Sequence, residues 1–97
     1  MILRDSSTIT RTTSVKNELG MHARPASRIA QMAGLARSCI WIHANSTRVD
    51  ATSTLDILML CAVKGTQIAV EIENQKDMDV LNQIIDFFET GFGESQK

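Results

Sequence analysis

Two patterns of apolar and polar positions recur along this 97-residue chain, one typical of strands and one of helices. Between Thr66 and Glu73 every second residue is apolar, as expected of a strand with one buried face. Between Asp77 and Phe88 the apolar residues recur at intervals of three and four, which predicts an amphipathic helix. The apolar stripe of this helix consists of Met78, Leu81, Ile84, Ile85 and Phe88.

The rest of the chain predicts five further elements by the same reasoning. Strands are predicted over Arg11–Lys16, Ser38–Ala44 and Thr47–Ala51. Helices are predicted over Ala23–Leu35 and from Ser53 to about Cys61. Asn45-Ser46 is expected to form the hairpin turn between the two middle strands. The resulting order βαββαβα indicates an α+β fold, in which the helices cover one face of an antiparallel sheet.

Alternation also assigns the faces of the strand over Ser38–Ala44. Ile40, Ile42 and Ala44 are expected to face the core, and Trp41 and His43 the other side of the sheet. A tryptophan facing outward suggests that something covers it. The N-terminal segment and a second copy of the chain are both candidates.

Length and composition limit the class of protein. Ninety-seven residues, 43% of them apolar, suffice for one small domain, expected over residues 10–97 with residues 1–9 as a polar extension. The net charge of −1 and the absence of a basic stripe argue against a nucleic-acid partner. No apolar run is long enough to span a bilayer, and the first ten residues lack the apolar core of a signal peptide. We therefore expect a cytoplasmic protein without membrane insertion.

Cys39 and Cys61 do not form a disulfide framework, because a secreted domain of this size usually has more cysteines. We expect two reduced, partly buried thiols. No cysteine and histidine cluster has zinc spacing, so neither a metal nor a cofactor is expected.

The run Gly20-Met21-His22-Ala23-Arg24-Pro25-Ala26 contains the strongest candidate chemistry. Gly20 permits a tight turn, and Pro25 suits a first helical turn, so His22 is expected at the start of a helix. Free backbone N–H groups and the helix dipole favour an anion there. Arg24 adds a guanidinium suited to phosphate. Together these groups make His22 a candidate to accept and release a phosphoryl group, since a neutral ring nitrogen is a nucleophile.

This run closely resembles the active-site loop of HPr, the histidine-containing phosphocarrier family of the bacterial sugar phosphotransferase system. A second segment, Val49–Leu58 followed by Ala62-Val63-Lys64-Gly65, resembles the family's signature around its regulatory serine. The separation of His22 from Ser53 matches without insertion or deletion, and the resemblance extends from about Arg11 to about Gly93.

The resemblance implies an open-faced β-sandwich with a four-stranded antiparallel sheet and three helices on one face. It implies that His22 receives a phosphoryl group on Nδ1 from enzyme I and passes it to an enzyme IIA, with Arg24 stabilising the phosphate. Such a protein is a carrier with a transient phosphohistidine, not an enzyme, and we expect a monomer. The residues expected to contact its partners are Met21, Ala23, Arg28, Thr54 and Leu55.

Ser53 has two compatible roles in this interpretation. It is a good N-cap for the short helix, with an acidic residue three positions later. The resemblance also implies phosphorylation of Ser53 by an HPr serine kinase/phosphorylase. Asp56 stands where the family commonly has glycine, and its charge would repel such a phosphate. On the same helix we expect Leu55 to face outward and Leu58 inward.

An alternative function belongs to a different class: a regulatory binding module that acts on kinases or transcription regulators through the Ser53 helix. The presence of His22 favours the carrier. His43 has no adjacent arginine and lies on a predicted strand, so we expect an exposed histidine without a role.

Overall fold

A computed structural model describes residues 8–94 of the chain. The strands are β1 (Ile9–Ser14), β2 (Ile40–Ala44), β3 (Thr47–Asp50) and β4 (Gln67–Ile72). The α-helices are α1 (Ala23–Ala33), α2 (Thr54–Leu58) and α3 (Met78–Glu89). Single 3₁₀ turns at Gln75–Asp77 and Gly91–Gly93 precede and follow α3.

The four strands form one antiparallel sheet in the order β1-β4-β2-β3. In register, Ile42 of β2 lies between Val70 of β4 and Val49 of β3, so the apolar positions of neighbouring strands share a face. All three helices cover that face, which confirms the predicted α+β open-faced sandwich.

The core lies between this face and the helices. The predicted inward residues of β2 and β4 are all buried: Ile40, Ile42, Ala44, Ile68, Val70 and Ile72. The stripe of α3 is also buried, apart from Met78, which packs partly exposed against the core. On α2 the fully buried residue is Ile57, whereas Leu58 is only partly buried, so the prediction of Leu58 as the inward residue was incomplete.

Element boundaries differ from the predictions where the chain turns. β1 begins at Ile9, which pairs with Ile72, so the strand includes the end of the expected extension; residues 1–7 lie outside the described residues. α2 ends at Leu58, and Cys61 then adopts a φ of 53°, which an α-helix cannot contain. Asn45 and Ser46 have φ angles of 52° and 65°, as the predicted two-residue hairpin requires.

Side chains of neighbouring strands cover part of Trp41. The guanidinium of Arg48 lies 4.1 Å from the centre of the indole ring, and the indole Nε1 donates a hydrogen bond to Glu73 Oε2 at 2.8 Å. The ring is therefore half-buried against its own sheet. Cover from residues 1–7 falls outside the described residues.

Both cysteines are free and exposed, so the expectation of partly buried thiols was wrong: Cys39 precedes β2 and Cys61 lies on the turn after α2. Within residues 8–94 no group of three or more metal-ligating side chains is present. None of the helices in that range has the length and apolar character of a membrane span.

Two loops are in backbone contact beside the start of α1. The N–H of Met21 donates to the carbonyl of Ala62 at 2.9 Å, and Gly20 reaches this position with a φ of +71°. A Cβ on Gly20 would lie 2.8 Å from that carbonyl oxygen. Gly65 also has a positive φ, +92°, but a Cβ there would have no atom within 4 Å.

The different surroundings of Gly20 and Gly65 predict that replacement by alanine lowers the stability of the protein by different amounts. Gly65→Ala should lower the free energy of unfolding by about 1–2 kcal/mol, because alanine is strained at positive φ. Gly20→Ala should cost at least about 1 kcal/mol more, because its methyl group also meets backbone that cannot move aside. Urea unfolding midpoints of the two variants would measure the difference, and equal losses would contradict the close approach at Gly20.

Candidate functional site

His22 occupies the N-cap of α1, where its carbonyl accepts the first helical hydrogen bond from Ala26 at 3.1 Å. Its side chain makes no capping bond to the helix, so the imidazole is available for other contacts. The ring is one-third exposed, at 33% of its side-chain surface. The expected position of His22 at a helix start is therefore observed, with the positive end of the helix dipole beside the ring.

A carboxylate from the other end of the chain contacts both predicted site residues. Glu94 Oε2 lies 2.5 Å from His22 Nε2 and 3.0 Å from Arg24 Nη2. The Glu94 side chain is only 11% exposed, while that of Arg24 is 60% exposed. The carboxylate thus lies under the guanidinium, and much of Arg24 faces solvent.

Asn17 holds the second oxygen of this carboxylate. Its side-chain amide donates to Glu94 Oε1 at 2.7 Å and to the carbonyl of Gly20 at 3.0 Å. Asn17 is fully buried, and its own Oδ1 has no hydrogen-bond partner within the described residues. One buried amide therefore ties the loop before α1 to the segment after α3.

The turn after α3 directs Glu94 towards His22. Gly91, Phe92 and Gly93 have φ angles of 65°, 62° and 71°, so three consecutive residues adopt left-handed backbone. This conformation is unfavourable for Phe92, but its ring is 2% exposed and lies 5.1 Å from the rings of both Phe87 and Phe88. Burial of the ring stabilises the turn, and Glu94 follows it in an extended conformation.

Opposing effects act on the Glu94 carboxyl. Burial raises its pKa, but hydrogen bonds from His22 and Asn17 and the charges of His22 and Arg24 outweigh that effect. The net result is a pKa below the ordinary value of 4.5. Glu94 is therefore an ionised acceptor at neutral pH.

The three residues near His22 that were predicted to contact partners differ in their exposure and in their neighbours. Ala23 is exposed. Arg28 is exposed and lies with its guanidinium 5.7 Å from the ring centre of Phe87, so it packs towards α3 rather than beside His22. The Met21 side chain is 6% exposed and belongs to the core, so only the backbone of Met21 lies at this surface.

The predicted residues of α2 lie on the neighbouring surface. Ser53 is the N-cap, as predicted, and its hydroxyl oxygen accepts from the Asp56 N–H at 3.2 Å. Thr54 is half-buried, and Leu55 is 67% exposed, which confirms its outward orientation. Three more large apolar side chains are exposed: Leu19 in the loop before His22, and Met59 and Val63 just after α2. Because the loops of Met21 and Ala62 are in contact, Leu19 and Val63 flank the site.

His43 is not the plain exposed histidine that was predicted. It is half-buried, and its Nε2 lies 2.7 Å from Glu71 Oε1 on the neighbouring strand. The adjacent strand supplies this carboxylate, which sequence alternation alone could not show. No helix begins at His43, so it lacks the backbone donors that surround His22.

Glu94 and Asn17 are the site residues that sequence reasoning missed. Each lies in a polar segment with no motif, and Glu94 is 72 residues from His22. Only the fold brings them together.

Comparison with known proteins finds similar chains in one protein family. The family model described as the PTS HPr component phosphorylation site matches residues 9–90. Phosphocarrier protein NPr of Escherichia coli strain K12 is 35% identical over 90% of this chain and 98% of that protein. Phosphocarrier protein HPr of Neisseria meningitidis serogroup B is 32% identical over 82% of this chain and 90% of that protein.

Solved structures are similar over nearly the same range. The crystal structure of HPr-C-His from Thermoanaerobacter tengcongensis has a TM-score of 0.82 and 30% identity, over 90% of this chain and 98% of that one. HPr from Bacillus anthracis, at 23% identity and a TM-score of 0.78, has the same fold.

The lowered pKa of Glu94 predicts a pH-dependent contribution to stability. The unfolded carboxyl titrates near 4.5 and the folded one lower, so the stabilisation by Glu94 is fully present above pH 4.5. It should be lost as the pH falls through the lowered folded pKa, when the carboxylate that faces His22 and Arg24 is protonated. Urea unfolding of the wild type and Glu94→Gln from neutral pH downward should show their difference shrinking in that range. A Glu94 carboxyl titration by NMR with a midpoint at or above 4.5 would contradict this.

Proposed function

The chain belongs to the HPr family of phosphocarrier proteins, and on that basis we propose that it relays phosphoryl groups through His22. His22 accepts the group from phosphorylated enzyme I and passes it to an enzyme IIA of the phosphotransferase system. One observation carries the proposal: a partly exposed imidazole lies at the N-terminus of α1 without capping it, with Arg24 two residues away.

In each transfer a ring nitrogen of His22 attacks phosphorus or leaves it. The electron pair of the donor's N–P bond returns to the donor nitrogen as the new bond forms. Arg24 is suited to hold the phosphoryl oxygens, because its guanidinium is largely exposed and fixed at one end by Glu94. Positioning and charge stabilisation therefore account for the chemistry, as in phosphoryl transfer generally. The chain itself is a carrier that needs a partner at each step, not an enzyme.

The surface beside His22 suits brief docking. Ala23 is exposed and Thr54 is half-buried, and Leu19, Leu55, Met59 and Val63 expose apolar side chains. A small apolar contact of this kind releases its partner quickly, as a relay between two proteins requires. We propose that enzyme I and an enzyme IIA use this surface in turn, in the cytoplasm.

Regulation through Ser53 forms a second part of the proposal. Its hydroxyl lies at the start of the helix that carries Leu55, so a phosphate there would add negative charge to the docking surface. The helix N-terminus would favour this phosphate and Asp56 would oppose it. We propose that the added charge slows phosphoryl uptake by His22.

Loss of the imidazole should abolish the relay. With enzyme I and labelled phosphoenolpyruvate, the wild-type chain should acquire acid-labile, base-stable label, and His22→Ala should acquire none. His43→Ala is the matched control, because it removes the other histidine, also paired with a glutamate, and should label like the wild type. Label that persists in His22→Ala would contradict the assignment.

A fixed negative charge at Ser53 should test the regulatory part. Ser53→Asp should accept the phosphoryl group from enzyme I several-fold more slowly than Ser53→Ala, because only the former adds charge to the docking surface. Gln83→Glu adds the same charge on the exposed side of α3 and should leave the rate unchanged. Equal rates for the two Ser53 variants would rule out this electrostatic regulation.

A further inference from the structure

The segment after α3 supplies a charged residue to the site from outside the range of the family model, which ends at residue 90. We propose that Glu94 is a positioning residue for phosphoryl transfer: it holds His22 in the Nε2–H tautomer, so that Nδ1 presents its lone pair. The inference rests on the proposed relay through His22. It adds which side chain keeps Nδ1, the nitrogen that the family resemblance implies, free to react.

The tautomer follows from the chemistry of the contact. An ionised carboxylate only accepts hydrogen bonds, so at 2.5 Å from Glu94 Oε2 the Nε2 of His22 must carry the proton. A neutral imidazole has one N–H, and the other nitrogen then has a free lone pair. No hydrogen bond within residues 8–94 occupies Nδ1 of His22. Nδ1 is therefore the nucleophilic atom in this arrangement.

The carboxylate is held in place rather than resting on the surface. Its second oxygen accepts from the buried Asn17, and the buried ring of Phe92 anchors the backbone two residues earlier. The ion pair between Lys64 and Glu18 is a useful contrast, because its side chains are 51% and 68% exposed and no further hydrogen bond within residues 8–94 holds either of them. A carboxylate held on several sides can orient a ring that a mobile one would not.

Glu94 also lies where positive charge develops. As the Nδ1 lone pair forms the new N–P bond, the donor's N–P bond breaks and its electron pair returns to the donor nitrogen. The Nε2 proton of His22 stays in place, so the ring becomes more positive during the step. A fixed carboxylate at Nε2 stabilises that charge, and the remaining guanidinium donors of Arg24 stay available to phosphoryl oxygens.

The test compares two variants that each remove one carboxylate near the end of the chain. Glu94→Ala removes the contact with His22. Glu89→Ala is the matched control, since Glu89 accepts from Thr13 at 2.6 Å and lies near Lys16 instead. Two-bond ¹⁵N–¹H correlation spectra of the unphosphorylated proteins report the His22 tautomer. Phosphorylation by enzyme I gives the kcat and KM of each chain as acceptor.

The wild type and Glu89→Ala should both show the Nε2–H form. Glu94→Ala should shift towards a mixture of tautomers, and its kcat should fall about 10-fold, the lower end of the loss found when the hydrogen-bond partner of a metal-bound histidine is removed. Its KM should stay unchanged, because the docking surface is intact. Glu94→Asp, which keeps a carboxylate on a shorter side chain, should recover part of the rate. If Glu94→Ala fails to fold, Glu94→Gln keeps the size of the side chain and should still be slower, because the charge is gone.

Three results would overturn the role of Glu94. The first is a wild-type His22 ring in the Nδ1–H form, the second is an unchanged tautomer and kcat in Glu94→Ala, and the third is a higher kcat in Glu94→Ala. A faster variant would identify the carboxylate as a competitor of the phosphoryl group for Arg24. Absence of label on the wild type would instead overturn the relay itself, which separates the two proposals.

Discussion

The sheet has one apolar face, and both long helices must bury their apolar stripes on it. α1 and α3 are therefore neighbours, and Arg28 of α1 reaches the ring of Phe87 on α3. The start of α1 lies near the end of α3, which brings His22 and Glu94 together across 72 residues of sequence. Burial of apolar surface, which involves none of the polar groups of the site, thus determines which polar groups meet there.

A few hydrogen bonds and ion pairs stabilise the negative charge of the Glu94 carboxylate at the site. Placing the Glu94 carboxylate at 11% exposure has a desolvation cost, which donors from His22, Arg24 and Asn17 offset. Asn17 is itself left with an unpaired buried oxygen, the one such side-chain atom in residues 8–94. Uncompensated polar groups of this kind are rare in folded proteins, and here the group belongs to the side chain that donates to Glu94, the partner of His22.

Local patterns predicted those features that depend on local physics. The alternation in β2 and β4 identified their buried faces, and the run from Gly20 to Pro25 located His22 at a helix start. For features that depend on distant contacts, the predictions were absent or incomplete. Periodicity on so short a helix as α2 did not separate Ile57 from Leu58. Alternation also cannot reveal the partners of Trp41 and His43, because β4 and the residue after it supply them. Glu94 carries no local signal at all, because its role arises only when α3 has packed.

The position of Glu94 has a practical consequence for how the protein is handled. A label attached close to Glu94 begins within a few residues of the side chain that contacts His22. A purification tag or fluorescent label at that position would change the surroundings of His22, the residue that we propose carries the phosphoryl group. Asn17 lies shortly after the last residue of β1, and Ile9 lies at the opposite end of that strand. Labels are therefore better attached near Ile9. The position of a label along this chain therefore decides whether the surroundings of His22 stay unchanged.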